Sequence, residues 1–279
     1  MDYVKSGLLY ALPHHAISRL ILKLTRLTWN KNAVIRWFIQ RFNVDMSDAV
    51  EPDAEAYEHF NAFFTRALKP EARPVCATED LVACPADGCI SAIGPVTDNA
   101  LFQAKGHAYS LTQLLGGQSE DAARYQQGSF ITVYLSPRDY HRLHMPLTGR
   151  LVKQTYVPGR LFSVAPHTVK TVAGLFARNE RVVAQFETDA GAMALVLVGA
   201  INVAAIETVW SGLVTPPRGG ISHSDYTDAN IELKKGEEMG RFNMGSTIIA
   251  VFEQDLVWHD QLLTGSPVKM GQAMATRLP

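Results

Sequence analysis

The sequence predicts an α+β protein, with a helical, basic N-terminal region followed by a single strand-rich body. Three observations carry this. Apolar residues recur at three- and four-residue steps through the first 43 positions. Beyond about residue 74 the texture changes to short Val-, Ile- and Thr-rich runs separated by Gly and Pro. The 279 residues are 47% hydrophobic and 19% charged, ordinary for a globular chain and unlike a disordered one.

In a first helix, Ile17, Leu20, Ile21, Leu24 and Leu27 stack on one face, with Arg19, Lys23 and Arg26 opposite. Asn32 is a candidate cap for a second helix, where Val34, Ile35, Phe38, Ile39 and Phe42 form a stripe beside Trp37. Residues 1–43 carry seven basic side chains against one acid, Asp2, although the whole chain has a net charge of −1. A basic head on an acidic body points to an anionic partner at the head, while the near-neutral total argues against a general nucleic-acid binder. Basic and apolar faces with Trp29 and Trp37 describe helices lying on an anionic membrane. They equally describe a helical hairpin packed on its own body, and periodicity leaves both open. No stretch reaches the ~18 apolar residues needed to cross a bilayer. Residues 6–18 are free of charge but are cut by Pro13 and contain His14 and His15, so they make neither a span nor a signal peptide.

Residues 56–68 read as a third helix, with Tyr57, Phe60, Phe64 and Leu68 on one side and Pro70 beyond its end. Strands are expected at 130–135, 151–157, 181–188, 192–209 and 247–252. The alternation in 181–188 predicts one wet face, whereas 195–198 should be buried on both sides. Residues 216–230 are polar and read as a surface loop. Cys76, Cys84 and Cys89 match no common metal spacing and read as reduced, which favours a cytosolic face.

Three segments hold candidate chemistry. Asp87 sits in Pro85-Ala-Asp-Gly88, where a tight turn alone explains it. His141 and His144 fall in Ser136-Pro-Arg-Asp-Tyr-His-Arg-Leu-His-Met-Pro146, directly after a strand; two histidines three apart could bind metal, but no third ligand cluster supports that and such a pair is usually structural. Ser246 follows Gly245 and precedes an apolar strand, with no Gly-x-Ser-x-Gly elbow anywhere in the chain. Together these are the parts of an Asp–His–Ser constellation, which is defined by geometry and role and not by chain order.

These segments, with Met239-Gly-Arg-Phe-Asn-Met-Gly-Ser-Thr247, resemble bacterial phosphatidylserine decarboxylases of the pyruvoyl-dependent, prokaryotic type. The likeness runs from about residue 44 to residue 274. It includes Phe60-Asn-Ala-Phe-Phe-Thr-Arg-Ala-Leu-Lys-Pro70, Ala104-Lys-Gly-His-Ala-Tyr-Ser-Leu111, Val157-Pro-Gly-Arg-Leu-Phe-Ser-Val164, Leu175-Phe-Ala-Arg-Asn-Glu-Arg181 and residues 203–210. Met244 stands where the family commonly has Leu, a volume-conserving change. The resemblance implies a zymogen that cleaves itself between Gly245 and Ser246, giving a large chain of residues 1–245 and a small chain of 246–279. His144 matches the family's base, Asp87 the carboxylate that orients it, and Ser246 the residue converted to a covalent pyruvoyl group (the pyruvate cofactor), with His141 in support and no metal. That group would hold phosphatidylserine as a Schiff base while it becomes phosphatidylethanolamine, a step of phospholipid biosynthesis. A lipid substrate favours 1–43 as amphipathic membrane-associating helices on a catalytic domain of 44–279, peripheral on the cytoplasmic face of the cell membrane. A homodimer is left open. The competing readings are a soluble pyruvoyl-dependent amino-acid decarboxylase, a serine hydrolase that keeps its chain intact, and a membrane-binding module without activity.

Overall fold

The computed structural model describes residues 14–103, 107–200, 205–215, 219–245 and 247–278. Ser246, the first thirteen residues and part of the 203–210 block lie outside the described residues.

The chain opens with two helices, α1 (His14–Leu24) and α2 (Lys31–Phe42). Asn30, not Asn32, precedes α2, and Asn30 and Asn43 flank it in left-handed conformations with φ of 56° and 53°. Asparagine tolerates that region better than other side chains. The expected helix at 56–68 contracts to α3 (Phe60–Phe64), five residues long. Its start is delayed because the His59 ring accepts the Ala62 N–H as an N-cap. Upstream, the Glu51 and Asp53 carboxylates accept the N–H groups of Asp53 and Glu55, holding that stretch in turns.

The two faces of the head have different fates. Ile35 and Phe38 of α2 are buried with Val44, Phe60, Phe63 and Phe64 in a small core of their own. The Phe38 ring lies 5.0, 6.0 and 5.9 Å from those of Phe60, Phe63 and Phe64. On α1 and just beyond it, by contrast, the buried positions are Ser18 and Thr25. Leu20, Leu24, Leu27 and Trp29 are exposed, Leu20 at 58% and Trp29 at 84%. Ile17 and Ile21 of the same stripe are half-buried, so the body covers the stripe only in part.

The body is built on a nine-stranded sheet among the described residues, every pair antiparallel. At its centre Thr247–Phe252 pairs along all six residues with Ser129–Tyr134 on one side and Gly191–Val198 on the other. The strand expected at 192–209 is interrupted. Gly191–Val198 stays in the large sheet, while Ile206–Thr208 joins a four-stranded sheet with Gly212–Leu213, Glu238–Phe242 and Arg142–His144. The break comes at Gly199, whose N–H donates to the Glu180 carbonyl and whose carbonyl accepts the Asn179 side-chain amide, leaving the ladder. The wet face expected on Arg181–Thr188 is absent, since residues 181–186 are all buried. Arg181 donates to the carbonyls of Gln113, Leu114, Ala177 and Asn179, so helices closing over that face satisfy its charge. Residues 195–198 are fully buried, as their composition requires. The loop expected at 216–230 contains an exposed edge strand, Ser222–Asp225.

One of the crossings between the two sheets forms a corner at the candidate serine segment. The chain leaves the four-stranded sheet at Phe242 and enters the large sheet at Thr247, with residues 243–245 described between them.

Candidate active site

The corner sits against the histidine segment. Arg142–His144 pairs with Glu238–Phe242, and the Phe242 N–H donates to the His141 carbonyl at 3.0 Å. A Cβ on Gly245 would lie 2.9 Å from His141 Cε1, so a larger residue would displace the imidazole. Met244 precedes it with φ of 116°, a conformation costly for any side chain.

His141 is fully buried, and its ring stacks on Phe64 with centroids 4.0 Å apart and planes 17° from parallel. Neither ring nitrogen makes a well-formed hydrogen bond among the described residues, although the backbone of Pro137 and Ser136 reaches the ring. Burial, reinforced by the positive charge of Arg66, pulls its pKa down to about 3, so the ring is neutral at physiological pH.

His144 is prepared differently. Its Nδ1 lies 2.8 Å from the Gly236 carbonyl, which can only accept, so Nδ1 carries the proton. Nε2 then holds the lone pair and accepts from the Tyr140 hydroxyl at 3.0 Å. Burial lowers this pKa as well, keeping the imidazole in its basic form.

The turn carrying Asp87 adjoins His144, whose backbone N–H donates to the Pro85 carbonyl at 2.9 Å. The carboxylate itself points elsewhere. It accepts from Arg73 Nε at 2.8 Å and Nη2 at 2.5 Å, and from the Met270 N–H at 2.9 Å. The bond to Asp87 raises the Arg73 pKa further above its usual range, and Arg73 also holds Asp48 at 2.8 Å. No hydrogen bond joins Asp87 to His144 among the described residues. Of the candidates, His141 and Gly245, the expected cleavage-site residue, are in contact. His144 and Asp87 are neighbours along the backbone whose side chains keep other partners.

Four contributors were not singled out from sequence. Phe64 and Tyr140 lay inside quoted motifs, yet no pattern marked which rings would meet the histidines. Arg73 and Gly236 are set by tertiary pairing, to which local sequence gives no signal.

A cleft of about 620 Å³ borders the corner. Leu24, Trp29, Val34 and Trp37 line it from the head, and Met244 and Gly245 from the corner.

Comparison with known proteins gives this geometry a context. Residues 60–276 match the family model described as phosphatidylserine decarboxylase. The chain belongs to the phosphatidylserine decarboxylase family. A second model, described as PSD, matches residues 4–43. A phosphatidylserine decarboxylase proenzyme of Shewanella frigidimarina is 53% identical over 283 residues, covering 99% of this chain and 98% of its own. One from Pseudomonas aeruginosa is 56% identical over 272 residues, covering 95% and 94%. One from Ectopseudomonas mendocina is 55% identical over 271 residues, covering 95% of each.

Phosphatidylserine decarboxylase proenzymes are pyruvoyl-dependent, and the residues at the corner fit such a group. A fully buried, uncharged His141 lies against Gly245, immediately before the position where the carbonyl would form. No helix among the described residues is long and apolar enough to cross a membrane.

Proposed function

We propose that the chain is a proenzyme that cuts itself between Gly245 and Ser246 and then converts phosphatidylserine to phosphatidylethanolamine on an anionic membrane surface. The observation that carries this is the corner: Gly245 packed on a buried, uncharged His141, beside an apolar cleft walled by the N-terminal helices.

A serine hydroxyl is a weak nucleophile at neutral pH and needs a base. His144 Nε2, neutral and holding its lone pair toward the Tyr140 hydroxyl, exchanges that partner for Ser246 and takes its hydroxyl proton as the oxygen attacks the Gly245 carbonyl. The amide becomes an ester and the Ser246 nitrogen a free amine. Loss of the Ser246 Cα proton then expels the Gly245 carboxylate and leaves a dehydroalanine. Water replaces its nitrogen, ammonia departs, and residues 246–279 begin with a pyruvoyl group. Asp87 supports the imidazolium formed at His144 through its field, held in place by Arg73.

The pyruvoyl carbonyl supplies the electron sink for the loss of CO2. The chain's own residues then have two tasks. The apolar cleft excludes water from the reacting carbon. His144, with His141 in support, returns one proton to that carbon.

The head supports a membrane reading for residues 1–43 on a catalytic domain of 44–279, peripheral on the cytoplasmic face. Leu20, Leu24, Leu27 and Trp29 are exposed, and Arg19, Lys23 and Arg26 are exposed beside them. A decarboxylase of soluble amino acids has no use for such a surface.

Denaturing mass spectrometry tests the proposal. Two chains are expected, the smaller beginning with a pyruvoyl group at position 246. Cyanoborohydride with phosphatidylserine should then label that chain. An intact yet active protein, or label on a lysine of residues 1–245, refutes it.

A further inference from the structure

The short helix α3 touches both the head and the corner. The Asn61 N–H donates to the Thr25 carbonyl at 2.9 Å, just beyond α1. The buried Asn61 side chain donates from Nδ2 to Asn243 Oδ1 at 2.7 Å. Asn243 is itself 1% exposed, and its N–H donates to the Ala205 carbonyl. One residue further, Met244 packs against the cluster that contains Phe38, Phe60 and Phe64. The same Phe64 stacks on His141, and His141 abuts Gly245. A buried amide pair therefore fixes the backbone two residues before the proposed scissile bond, and the head's own core closes over the residue between them.

Met244 makes this pairing consequential. At φ of 116° it lies where side chains are strained, and such a conformation persists only when its surroundings impose it. The amide pair on one side and the aromatic cluster on the other impose it here.

We infer that Asn61 is a positioning residue for self-cleavage: paired with Asn243 and bonded to the Thr25 carbonyl, it clamps Met244 in its left-handed conformation and presents the Gly245 carbonyl. This rests on the cleavage reading above. It goes beyond it in making the short helix α3, tied by its backbone to the Thr25 carbonyl at the end of α1, part of the processing apparatus.

The full-length chain is expressed, and its conversion is followed by denaturing mass spectrometry with the melting temperature recorded alongside. Asn61→Ala should slow cleavage by roughly 10- to 100-fold, the scale on which one strained residue shifts an equilibrium. Asn243→Ala breaks the same bond from the other side and should slow it similarly, even if Asn61→Ala folds poorly. The double variant should be no slower than the slower single one, because both remove one interaction. Met244→Gly is decisive, since glycine adopts this φ without strain. Added to Asn61→Ala it should restore at least tenfold of the lost rate, which a merely structural role for Asn61 would not produce. The protein that does cleave should keep its wild-type KM. Wild-type cleavage rates in both single variants, or no rescue by Met244→Gly, overturn the inference. A wild-type protein that never cleaves overturns the cleavage reading itself, a result distinct from either.

Discussion

His144 reaches its basic form through two neighbours, the Gly236 carbonyl that fixes its proton on Nδ1 and the Tyr140 hydroxyl that faces Nε2. If it is the base for cleavage, His144→Ala should remain one chain, as should Ser246→Ala, when purified protein is run under denaturing conditions. Asp87→Asn should cleave slowly, because the imidazolium loses a nearby negative charge while the turn stays hydrogen-bonded to Met270. Rapid cleavage of His144→Ala would move the role to another group. His141 carries a stability prediction with a definite sign. In the unfolded chain a histidine titrates near 6.5, whereas burial holds this one at about 3. The unfolded state therefore binds the proton first as pH falls. The contribution is complete above pH 6.5 and is lost between 6.5 and about 3, at ~1.4 kcal/mol per pH unit. Urea unfolding of the Ser246→Ala chain between pH 7 and 5 should show this slope, and His141→Phe should flatten it by that amount. The candidate residues were legible because they sit in contiguous blocks around Asp87, His144 and Gly245. Their partners were not, because Arg73 and Gly236 reach them only through the tertiary fold.

Among the elements, α1 leaves Leu20 and Leu24 exposed and buries Ser18. The basic residues on it, Arg19, Lys23 and Arg26, are exposed and lie outside the corner. Replacing all three by Gln should weaken binding to anionic vesicles roughly 100-fold, at ~1 kcal/mol for each charge near such a surface. Added salt should weaken the wild type in the same direction. Self-cleavage should be unchanged. Co-sedimentation equal to wild type would assign membrane contact to another surface. The helices of the head were legible from their 3.6-residue period, but their orientation was not, since a hydrophobic stripe states which face is apolar and not what lies against it. The same limit explains Arg181–Thr188, where polar alternation promised solvent and Arg181 instead found four backbone carbonyls. In 192–209 the apolar run concealed a change of sheet, because Val, Ile and Ala suit either one.

For the molecule as a whole, the α+β order of a basic helical head and a strand-rich body was readable from composition and period, whereas the division into sheets depends on long-range pairing. Thr247–Phe252 lies in the middle of the large sheet, bonded along six residues to each neighbour. Severing the chain just ahead of it would free an end without loosening the strand. Assembly, however, would become irreversible in practice. While the chain is whole, the tether holds this strand at an effective concentration of about a millimolar, and once cut, the fragment must find its slot at whatever concentration the solution provides. Diluted from denaturant at about a micromolar, the Ser246→Ala chain should regain its fold at a rate independent of concentration. The two-chain form should recover in a yield that falls with each dilution, and equal recovery of both would show that the fragments fold separately. A protein of this kind has one opportunity to thread its central strand, and it takes that opportunity before becoming active.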